Sequence, residues 1–403
     1  GLLCSALLLS GCSQYGEDDG ISQTTIRLGS VLALRGPAKG LGTNMRDGML
    51  AALDGRKVGG RTVRLVSKND YYEPDTAAAE TRSLIDSSIM LMVGNVGTPT
   101  AKVTLPILKD ASVPAVGFFT GAGILRPGSG GPILNFRASY KEEVAAVIEA
   151  AVSQGIRSSE ICAYVQNDSY GMAGLAGIKD AMTRANAPAR IIKSYDQILG
   201  MVTINPPRND IGPVGVYTRN THNILDGYQS LKNWEIRTRT RCRLIVTVGA
   251  YANIANFIRH AAENERWIVS VVSFTGADNL AGSLAEFGTT RRVLMTQVVP
   301  LLDSDMPIVR EAKQQLGDNF GFVSLEGYVV GKMILRLLQG TEPPLTRERF
   351  IQTARSARFN LGGLAIDFTR DSNQGSDLVV LSHLRESGWQ EMNDRVWRSM
   401  IQE

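Results

Sequence analysis

The stretch MLMVGNVGTPTA, residues 90–101, joins a short apolar run to a helix start through a glycine-rich turn. The apolar run is typical of a buried strand. Thr98 suits the N-cap of a helix and Pro99 suits its first turn. The free N–H groups at such a helix start attract a carboxylate, although helix capping alone also explains these residues. The stretch therefore predicts a strand–turn–helix unit with a candidate anion site at the end of the strand.

The same alternation continues on both sides of this unit. Before residue 140 we predict strands at 25–33, 61–68, 90–93 and 113–118, and helices at 44–53, 75–87 and 100–109. After it we predict helices at 142–154, 170–184 and 252–262, and strands at 160–166, 189–195, 243–248, 267–274 and 293–299. This order is typical of parallel sheets with helices on both faces. The length of 403 residues fits two α/β lobes.

Residues 200–241 interrupt this order. They contain Pro206 and Pro207 and few apolar repeats, so we expect a long irregular insertion. It is either a surface feature or a lid over a ligand. Its aromatic and hydrogen-bonding side chains are Tyr217, His222, Tyr228 and Trp234.

Charge and motif content argue against nucleic-acid binding and catalysis. The chain has 43 basic and 39 acidic residues, and its dense basic stretch at 237–243 lacks the interleaved aromatics of a nucleic-acid surface. It contains only three histidines, and we find no metal-ligand spacing, phosphate loop or nucleophile elbow. We therefore expect no enzyme activity, no metal and no cofactor.

The N-terminal residues are predicted to be an export signal. Residues 1–10, GLLCSALLLS, form an apolar run too short to span a bilayer. The following Leu-Ser-Gly-Cys, ending at Cys12, resembles a bacterial lipobox. We expect residues 1–12 to be a truncated lipoprotein signal peptide with Cys12 lipidated, the alternative being an ordinary signal peptide. Residues 13–25 are polar and predict a flexible tether.

Two cysteines remain beyond this leader, Cys162 and Cys242. Both precede or begin apolar runs that we assign to neighbouring strands. In an exported chain they can form one disulfide, or remain two separate buried thiols. Later apolar runs are interrupted by Gly, Pro or charge, so no membrane-spanning helix is predicted.

Several short motifs together resemble one family. They are Gly36-Pro37, VGNVGTPTA (93–101), FFTGA (118–122), NFRASY (135–140), NDSYG (167–171), VGAY (248–251), FTGAD (274–278) and FVSLEGY (322–328). Their number and order are similar to those of type I periplasmic solute-binding proteins, specifically the leucine/isoleucine/valine-binding family of ABC importers. The resemblance covers residues 26 to about 397. It implies two Rossmann-like lobes with parallel sheets, joined by a three-stranded hinge.

The resemblance also implies roles for individual residues. Thr98 would bind a ligand carboxylate, and Asp278 would pair with a ligand ammonium. The remaining predicted site residues would line the cleft between the lobes: Phe119, Thr120, Gly121, Tyr140, Tyr170, Tyr251 and Phe322. Leu41 stands where the family often has an aromatic residue, which predicts a more apolar pocket.

The family topology implies lobe 1 at 26–135 plus 300–358 and lobe 2 at 136–299 plus 359–403. Links between the lobes are expected near 135–140, 297–300 and 359–363. We expect a monomeric lipoprotein of the periplasm or cell surface, attached to the membrane by its lipid alone. It would close around an amino acid or small amide and present it to an ABC permease. Two alternatives are a carrier of a larger apolar ligand, of lipid type, and a ligand sensor for a receptor.

Overall fold

A computed structural model describes residues 19–128 and 130–403. The predicted signal peptide, Cys12 and residues 13–18 of the predicted tether lie outside the described residues. The described end of that stretch is not a free tether, since Ile21 is buried and β1 begins at Thr25. The first elements along the chain are three helices and six strands: β1 (Thr25–Leu32), α1 (Lys39–Leu53), β2 (Lys57–Val58), β3 (Arg61–Asn69), α2 (Pro74–Asp86), β4 (Leu91–Val93), α3 (Thr98–Asp110), β5 (Ala115–Val116) and β6 (Ile133–Leu134).

The strands of this first lobe form one sheet in the order β2-β3-β1-β4-β5-β6. All neighbours are parallel except β2 and β3, which form an antiparallel pair at one edge. β1 lies between β3 and β4, which run parallel to it and belong to different βα units. Their carboxyl ends therefore meet at one edge of the sheet, where α/β proteins bind ligands.

The second lobe begins after β6 and contains six helices and five strands before the chain leaves it. They are α4 (Tyr140–Ser153), β7 (Ile161–Gln166), α5 (Ser169–Arg184), α6 (Ala189–Leu199), β8 (Val214–Tyr217), α7 (Leu225–Thr238), β9 (Leu244–Val248), α8 (Tyr251–Asn264), β10 (Ile268–Val271), α9 (Ala277–Glu286) and β11 (Val293–Gln297). α4 starts with a capping box between Ser139 and Glu142. β7, β9 and β10 are wholly buried, as expected of central parallel strands.

The chain then returns to the first lobe and finally crosses again to the second. The returning elements are α10 (Pro307–Leu316), α11 (Phe322–Gly340), α12 (Arg347–Arg355), β12 (Arg358–Leu361) and β13 (Leu364–Asp367), followed by β14 (Val380–Arg385), β15 (Gly388–Glu391) and α13 (Asp394–Gln402). α11 packs along α1 of the first lobe, and β14 pairs antiparallel with β11. The second sheet has the order β15-β14-β11-β10-β9-β7-β8. The two α/β lobes with largely parallel sheets are confirmed.

Two local predictions in the second lobe are wrong. Residues 189–195 form the start of α6 rather than a strand, because Ile191, Tyr195 and Ile198 share one buried helix face. The stretch 200–241 is not an irregular insertion, since it contains β8 and α7. β8 is four buried residues, too short a run to stand out in the sequence. No helix of the described residues is long and apolar enough to cross a membrane.

The third link between the lobes also lies further along the chain than expected. Residues 359–363 belong to the hairpin β12–β13, where the carbonyl of Gly362 accepts the N–H of Ile308 from α10 at 3.0 Å. The segment at 373–376 instead runs beside the first link. Asn135 N–H donates to the carbonyl of Asn373 and its carbonyl accepts from Gly375, each at 2.8 Å.

The structure contains the disulfide between Cys162 in β7 and Cys242 just before β9. β7 and β9 are neighbours in the second sheet, with Cys162 opposite Ile245. The bonded state, one of the two states that the sequence allowed, is therefore the one observed.

Candidate ligand-binding site

The candidate site begins where β4 passes into α3. Gly97 has φ +114°, which L-residues rarely adopt, and a Cβ there would lie 2.7 Å from Thr100 Oγ1. This glycine turns the chain so that α3 starts at Thr98, with Pro99 in its first turn. The first N–H groups of α3 therefore lie at the carboxyl end of the sheet, where they can attract an anion.

Two hydroxyl groups lie beside this helix start. Thr98 Oγ1 is 2.6 Å from Thr120 Oγ1, and both residues are buried. Gly121 holds the second loop against α4, because its carbonyl accepts the N–H of Tyr140 at 2.8 Å and a Cβ would lie 2.6 Å from the Tyr140 nitrogen. The structure thus brings these four predicted residues together.

Five aromatic rings, which we call the aromatic cluster, pack together beside the threonine pair. They are Tyr72, Phe119, Tyr140, Tyr170 and Phe274. The ring of Phe274 stacks on Phe119 with centroids 5.1 Å apart and meets the edge of Tyr170 at 4.6 Å. Tyr72 lies 5.9 Å from Phe274, and Tyr140 lies 5.2 Å from Tyr170. All five are buried, and burial raises the pKa of each tyrosine above its ordinary value.

A buried arginine lies against this cluster. The guanidinium carbon of Arg137 is 5.1 Å from the centre of the Phe119 ring. Its Nη2 donates to Glu143 Oε2 at 3.1 Å and to Ser273 Oγ. Its Nε and Nη1 have no hydrogen-bond partner among the described residues. Burial acts to lower the pKa of Arg137, but the charges of Glu326 and Glu143 outweigh it and raise the pKa, so the group stays charged.

Glu326 faces this guanidinium from α11 of the first lobe. Its Oε2 is 3.7 Å from Arg137 Nη1, too long for a hydrogen bond. Burial raises the pKa of Glu326 to about 7, with Arg137 acting in the opposite direction. Glu143, by contrast, accepts the N–H of Ser273 and the hydroxyl of Thr296, each at 2.8 Å. Glu143 is therefore the fully bonded partner, and Glu326 is the carboxyl that titrates near neutral pH.

Leu41 and Tyr251 belong to a second contact between the lobes. Tyr251 Oη, at the start of α8, accepts the N–H of Gly40 at 3.1 Å. Leu41 is fully buried, and a Cβ on Gly276 would lie 2.6 Å from Leu41 Cδ2. Both residues thus take part in a contact between the start of α1 and the second lobe, to which Leu41 contributes an apolar surface.

Asp278 and Phe322 meet at the N-terminus of α11. Asp278 Oδ2 accepts the N–H of Phe322 at 2.7 Å. Burial raises the pKa of Asp278, and the N–H groups of Phe322 and Val323 act against this rise. The two lobes are in contact in this structure, a form that we call closed. In it Asp278 of the second lobe caps α11 of the first lobe. The side chain of Phe322 is buried but is not one of the five rings of the aromatic cluster. Its contact with the site is the backbone N–H that it donates to Asp278.

A set of four residues joins the lobes at the rim, and we call it the rim clasp: Glu73, Asp168, Arg219 and Asn220. Arg219 Nη2 lies 3.0 Å from Glu73 Oε2 of the first lobe, and Nη1 lies 2.9 Å from Asp168 Oδ2 of the second. Asn220 Nδ2 donates to Glu73 Oε1 at 2.7 Å. Arg219 and Asn220 follow β8, inside the stretch predicted to be an insertion. That stretch therefore supplies contacts between the two lobes.

Four important residues were missed at the sequence level: Tyr72, Arg137, Arg219 and Phe274. Arg137 and Phe274 lie within motifs that carried the resemblance, NFRASY and FTGAD, but were not singled out. The sequence signal that could have identified Arg137 is a charged residue between Phe136 and Ala138, in the segment that links the two lobes. Tyr72 and Arg219 gave no local signal, because their partners are distant in sequence: Phe274 and Glu73 lie in the other lobe, and Asp168 precedes Arg219 by 51 residues.

The converging groups are a helix start, two hydroxyls, a guanidinium and five rings. Together they suit an anion attached to a flat apolar body. Across residues 19–128 and 130–403, no group of three or more His, Cys, Asp or Glu side chains is placed to hold a metal ion.

Fold and cleft define a two-lobed solute-binding protein. A family model described as periplasmic binding protein matches residues 25–199. A protein from Rhodopirellula baltica, described as a possible leucine/isoleucine/valine-binding protein, is 32% identical over 94% of this chain and 98% of that chain, with a TM-score of 0.80. The chain therefore belongs to the type I periplasmic solute-binding proteins of ABC transporters, as predicted.

Two solved structures with bound solutes share the fold at lower identity. A branched-chain amino acid ABC transporter protein from Thermus thermophilus, with bound valine, is 15% identical over 94% of this chain and 99% of that chain, with a TM-score of 0.73. A solute-binding protein from R. palustris, in complex with 4-hydroxybenzoate, is 16% identical over 92% and 96%, with a TM-score of 0.72. The sequence matches none of the curated proteins.

Proposed function

We propose that this protein captures a small carboxylate-bearing solute between its lobes and delivers it to an ABC permease. The observation that carries the proposal is the pair of buried hydroxyls, Thr98 Oγ1 and Thr120 Oγ1, at the start of α3. A carboxylate there would accept charge-assisted hydrogen bonds from hydroxyls and helix N–H groups together. Amino acids and amides, the solutes implied by the family, are one class that fits.

Closure by the hinge explains how a solute would be enclosed. Phe119 and Phe274 come from different lobes and contact each other, as do Arg219 and Glu73 at the rim. A solute can enter only when these contacts separate, and it is enclosed when they form again. The permease would then recognise the closed form.

We further propose that Cys12 is lipidated, so that a monomer stays attached to the membrane by its lipid. Mass spectrometry of the N-terminal peptide from membrane fractions tests this step. A Cys12→Ser variant should be released from the membrane. Membrane retention of that variant would contradict the lipid anchor while leaving solute binding untouched.

The carboxylate site is tested with Thr98→Val. The purified protein, unfolded and refolded to remove carried solute, is screened by thermal shift with carboxylic acids and their methyl esters. A ligand at 100 times its dissociation constant should add about 2.7 kcal/mol of stability. Thr98→Val should then weaken binding of the acids about tenfold to a hundredfold, because a hydrogen bond to a charged group contributes about 1.5–3 kcal/mol.

Thr104→Val is the matched control. Thr104 is a buried threonine of the same helix, and its hydroxyl bonds to the carbonyl of Ala101 rather than to Thr120. It should leave the dissociation constants unchanged. If acids and esters bind equally, or if both variants behave alike, the carboxylate site is wrong.

A carrier of a larger apolar ligand is the second candidate function. The burial of Leu41 and the aromatic cluster favour it. In that case long-chain fatty acids would bind, and their affinity would rise with chain length. Such ligands would bind Thr98→Val almost as well as the wild type, because apolar contact would dominate.

A further inference from the structure

We propose that the second lobe carries a separate binding site for a phosphate-bearing anion, on the edge of its sheet that faces away from the cleft. The site is a cavity of about 660 Å³ whose positively charged side chains are four arginines, and we call it the arginine groove: Arg291, Arg292, Arg385 and Arg395. It lies outside the solute-binding cleft, so this inference goes beyond the proposed function and does not depend on it.

The topology of the second sheet brings these arginines together. Arg291 and Arg292 directly precede β11, and Arg385 ends β14. Because β14 runs antiparallel to β11, its end lies beside the start of β11. Arg395 belongs to the first turn of α13, which packs at the same edge. β9 and β10 run parallel to β11, so this is the amino edge of the sheet, whereas the cleft lies at the carboxyl ends of the strands.

The chain's own acidic side chains do not neutralise the arginine groove. Within residues 19–128 and 130–403, the salt bridges of arginine include none with any of its four arginines. Glu386 and Glu403 also line the groove, so its arginines outnumber its acidic residues by four to two. Like charges around one cavity repel each other, and a bound anion would relieve that repulsion.

One of these arginines has a buried donor with nothing to bind. Arg292 Nη2 donates to the carbonyl of Glu265 at 3.3 Å. Its Nε is shielded from water and has no partner in the part of the chain that the structure describes. A buried donor without an acceptor is costly, so an acceptor from outside the chain would stabilise this arrangement.

A buried histidine lies within the reach of these charges. His383 of β14 lines the arginine groove and is buried. Burial lowers the pKa of His383, and the positive charge of Arg385 lowers it further, so the ring is neutral at pH 7. A neutral imidazole can donate one N–H to an anion. Because an anion in the groove would oppose the effect of Arg385, His383 is also a local reporter of binding.

A phosphate group fits these donors better than a single carboxylate does. A guanidinium presents a planar pair of N–H groups that can bond two phosphate oxygens, and the described lining of the groove contains no lysine. Thr290, Ser387 and Ser399 add three hydroxyls to the lining. Four arginines exceed the single charge of a carboxylate, whereas a phosphate ester carries roughly two negative charges at pH 7. We therefore expect a phosphate ester or pyrophosphate.

The arginine groove lies at the opposite end of the molecule from the point where the chain runs toward Cys12. Asp19 Oδ1 lies 2.9 Å from Arg347 Nη1, and Arg347 also donates to the carbonyls of Ile89 and Met90, directly before β4. Asp19 is therefore at the amino edge of the first sheet, and the two amino edges face away from each other across the cleft. A lipid on Cys12, as proposed above, would hold the first lobe to the membrane. A soluble phosphate compound thus fits the groove better than a lipid headgroup.

The test uses inorganic pyrophosphate as the probe. Calorimetry on the wild-type protein at low salt should show one saturable site, and binding should weaken at high salt because the charges are screened. In parallel, the ring resonances of the three histidines are followed by NMR, with His383→Asn used for assignment. The His383 resonance should shift along the same saturation curve. Those of His222 and His260, which lie outside the arginine groove, should not.

Replacing Arg385 and Arg395 together by glutamine removes two charges from the groove. This double variant should weaken pyrophosphate binding by at least about tenfold, because two charge-assisted contacts are lost. The matched control is Arg82→Gln with Arg310→Gln, which removes the same charge from exposed positions on α2 and α10 of the first lobe. It should leave the dissociation constant within about twofold. Circular dichroism shows whether each variant is folded, and the NMR shift on the wild type decides the proposal without them.

Three results would overturn the site or its ligand class. A His383 resonance that pyrophosphate does not shift excludes binding in the groove. Equal weakening in the two double variants shows that the attraction is not specific to it. Vesicles of phosphatidylglycerol and a glutamate-rich peptide are tested alongside: if either binds through Arg385 and Arg395 while pyrophosphate does not, a soluble phosphate is the wrong ligand. Solute binding in the cleft is measured separately with Thr98→Val, so the failure of either proposal leaves the other intact.

Discussion

At the scale of single residues, Arg137 and its two carboxylates are the most unusual feature of the molecule. All three side chains are essentially inaccessible to water, and Arg137 lies in the first link between the lobes. Glu143 on α4 belongs to the second lobe and Glu326 on α11 to the first. The group therefore spans the hinge, and the protonation of Glu326 affects a contact between lobes. Besides Arg137, the positive charge of Arg126 also acts to lower the pKa of Glu326.

Glu326→Gln should change how stability depends on pH. The pKa of Glu326 rises from 4.5 to about 7 in the folded protein, so the folded state holds this proton more tightly than the unfolded chain. Its contribution to stability is thus fully present below pH 4.5 and is lost as pH rises through about 7. We expect the variant to avoid this loss and to be more stable than the wild type at pH 8, by up to about 3 kcal/mol.

Urea unfolding at pH 5, 6.5 and 8 measures this difference. Asp70, whose pKa burial also raises to about 7, is present in both proteins and cancels from the comparison. Glu342→Gln, at an exposed position, should follow the wild type throughout. Parallel pH profiles for Glu326→Gln and the wild type would show that Glu326 is charged in the folded protein at all three pH values.

At the scale of elements, the loop between β8 and α7 does more than connect them. Asn253 of α8 donates to the carbonyl of Thr221 at 3.0 Å, which holds the loop to its own lobe. From there Arg219 and Asn220 reach Glu73 of the other lobe. A loop fixed at one side and paired at the other can favour closure without touching the solute.

Arg219→Ala should weaken solute binding roughly twofold to fivefold, mainly through faster dissociation. The pairs are partly exposed, so the loss is roughly 0.5–1 kcal/mol and shrinks at high salt. Stopped-flow measurement at 50 mM and 500 mM salt checks this. Arg184→Ala is the control, because Arg184 pairs with Glu149 at 3.6 Å within one lobe. Equal effects of the two variants would exclude an interlobe role.

The disulfide joins β7 to the residues just before β9 in the second lobe. Cys162 and Cys242 are 80 residues apart in sequence, so the bond closes a long loop. Replacing both by alanine should lower the free energy of unfolding by roughly 2–4 kcal/mol. Denaturation with and without reductant checks this. Reductant should destabilise the wild type and leave the double variant unchanged; the same response in both would place the stabilisation elsewhere.

At the scale of the whole molecule, three links join the two lobes, and the lobes are in contact in the described, closed form. Two of the links run side by side through hydrogen bonds between 135–136 and 373–376. Such a hinge permits bending while limiting twist. The interlobe contacts at the cleft and rim are those that bending would break.

Small-angle scattering should therefore report closure. Closed wild-type protein should have a radius of gyration of about 21 Å, from its length. Refolded, solute-free protein should have a larger radius that falls to this value when the acid found in the screen is added. Thr98→Val at the same acid concentration should stay expanded. A radius that solute leaves unchanged would contradict hinge closure.

Much of the fold was predictable because its signals are local. Glycine-rich turns after apolar runs located β4 and the start of α3, and the amphipathic pattern of 142–154 located α4. The prediction was wrong for 189–195, where isoleucines fit a strand as well as a helix face. It was also wrong for 200–241, because β8 is short and its buried neighbours are distant in sequence.

The candidate site likewise has features that the sequence predicts and features that only the structure reveals. The sequence by itself determined the two-lobed class, through its length and the order of its elements. It also determined the strand ends that carry the hydroxyls of Thr98 and Thr120, since these depend on neighbours within a few residues. Only the tertiary structure decided that Cys162 is bonded to Cys242, that Asp278 caps α11 and that Arg137 faces Glu326. Each of these contacts joins residues more than 40 positions apart: strand pairing within the second lobe brings the cysteines together, and packing of the two lobes brings the other two pairs together.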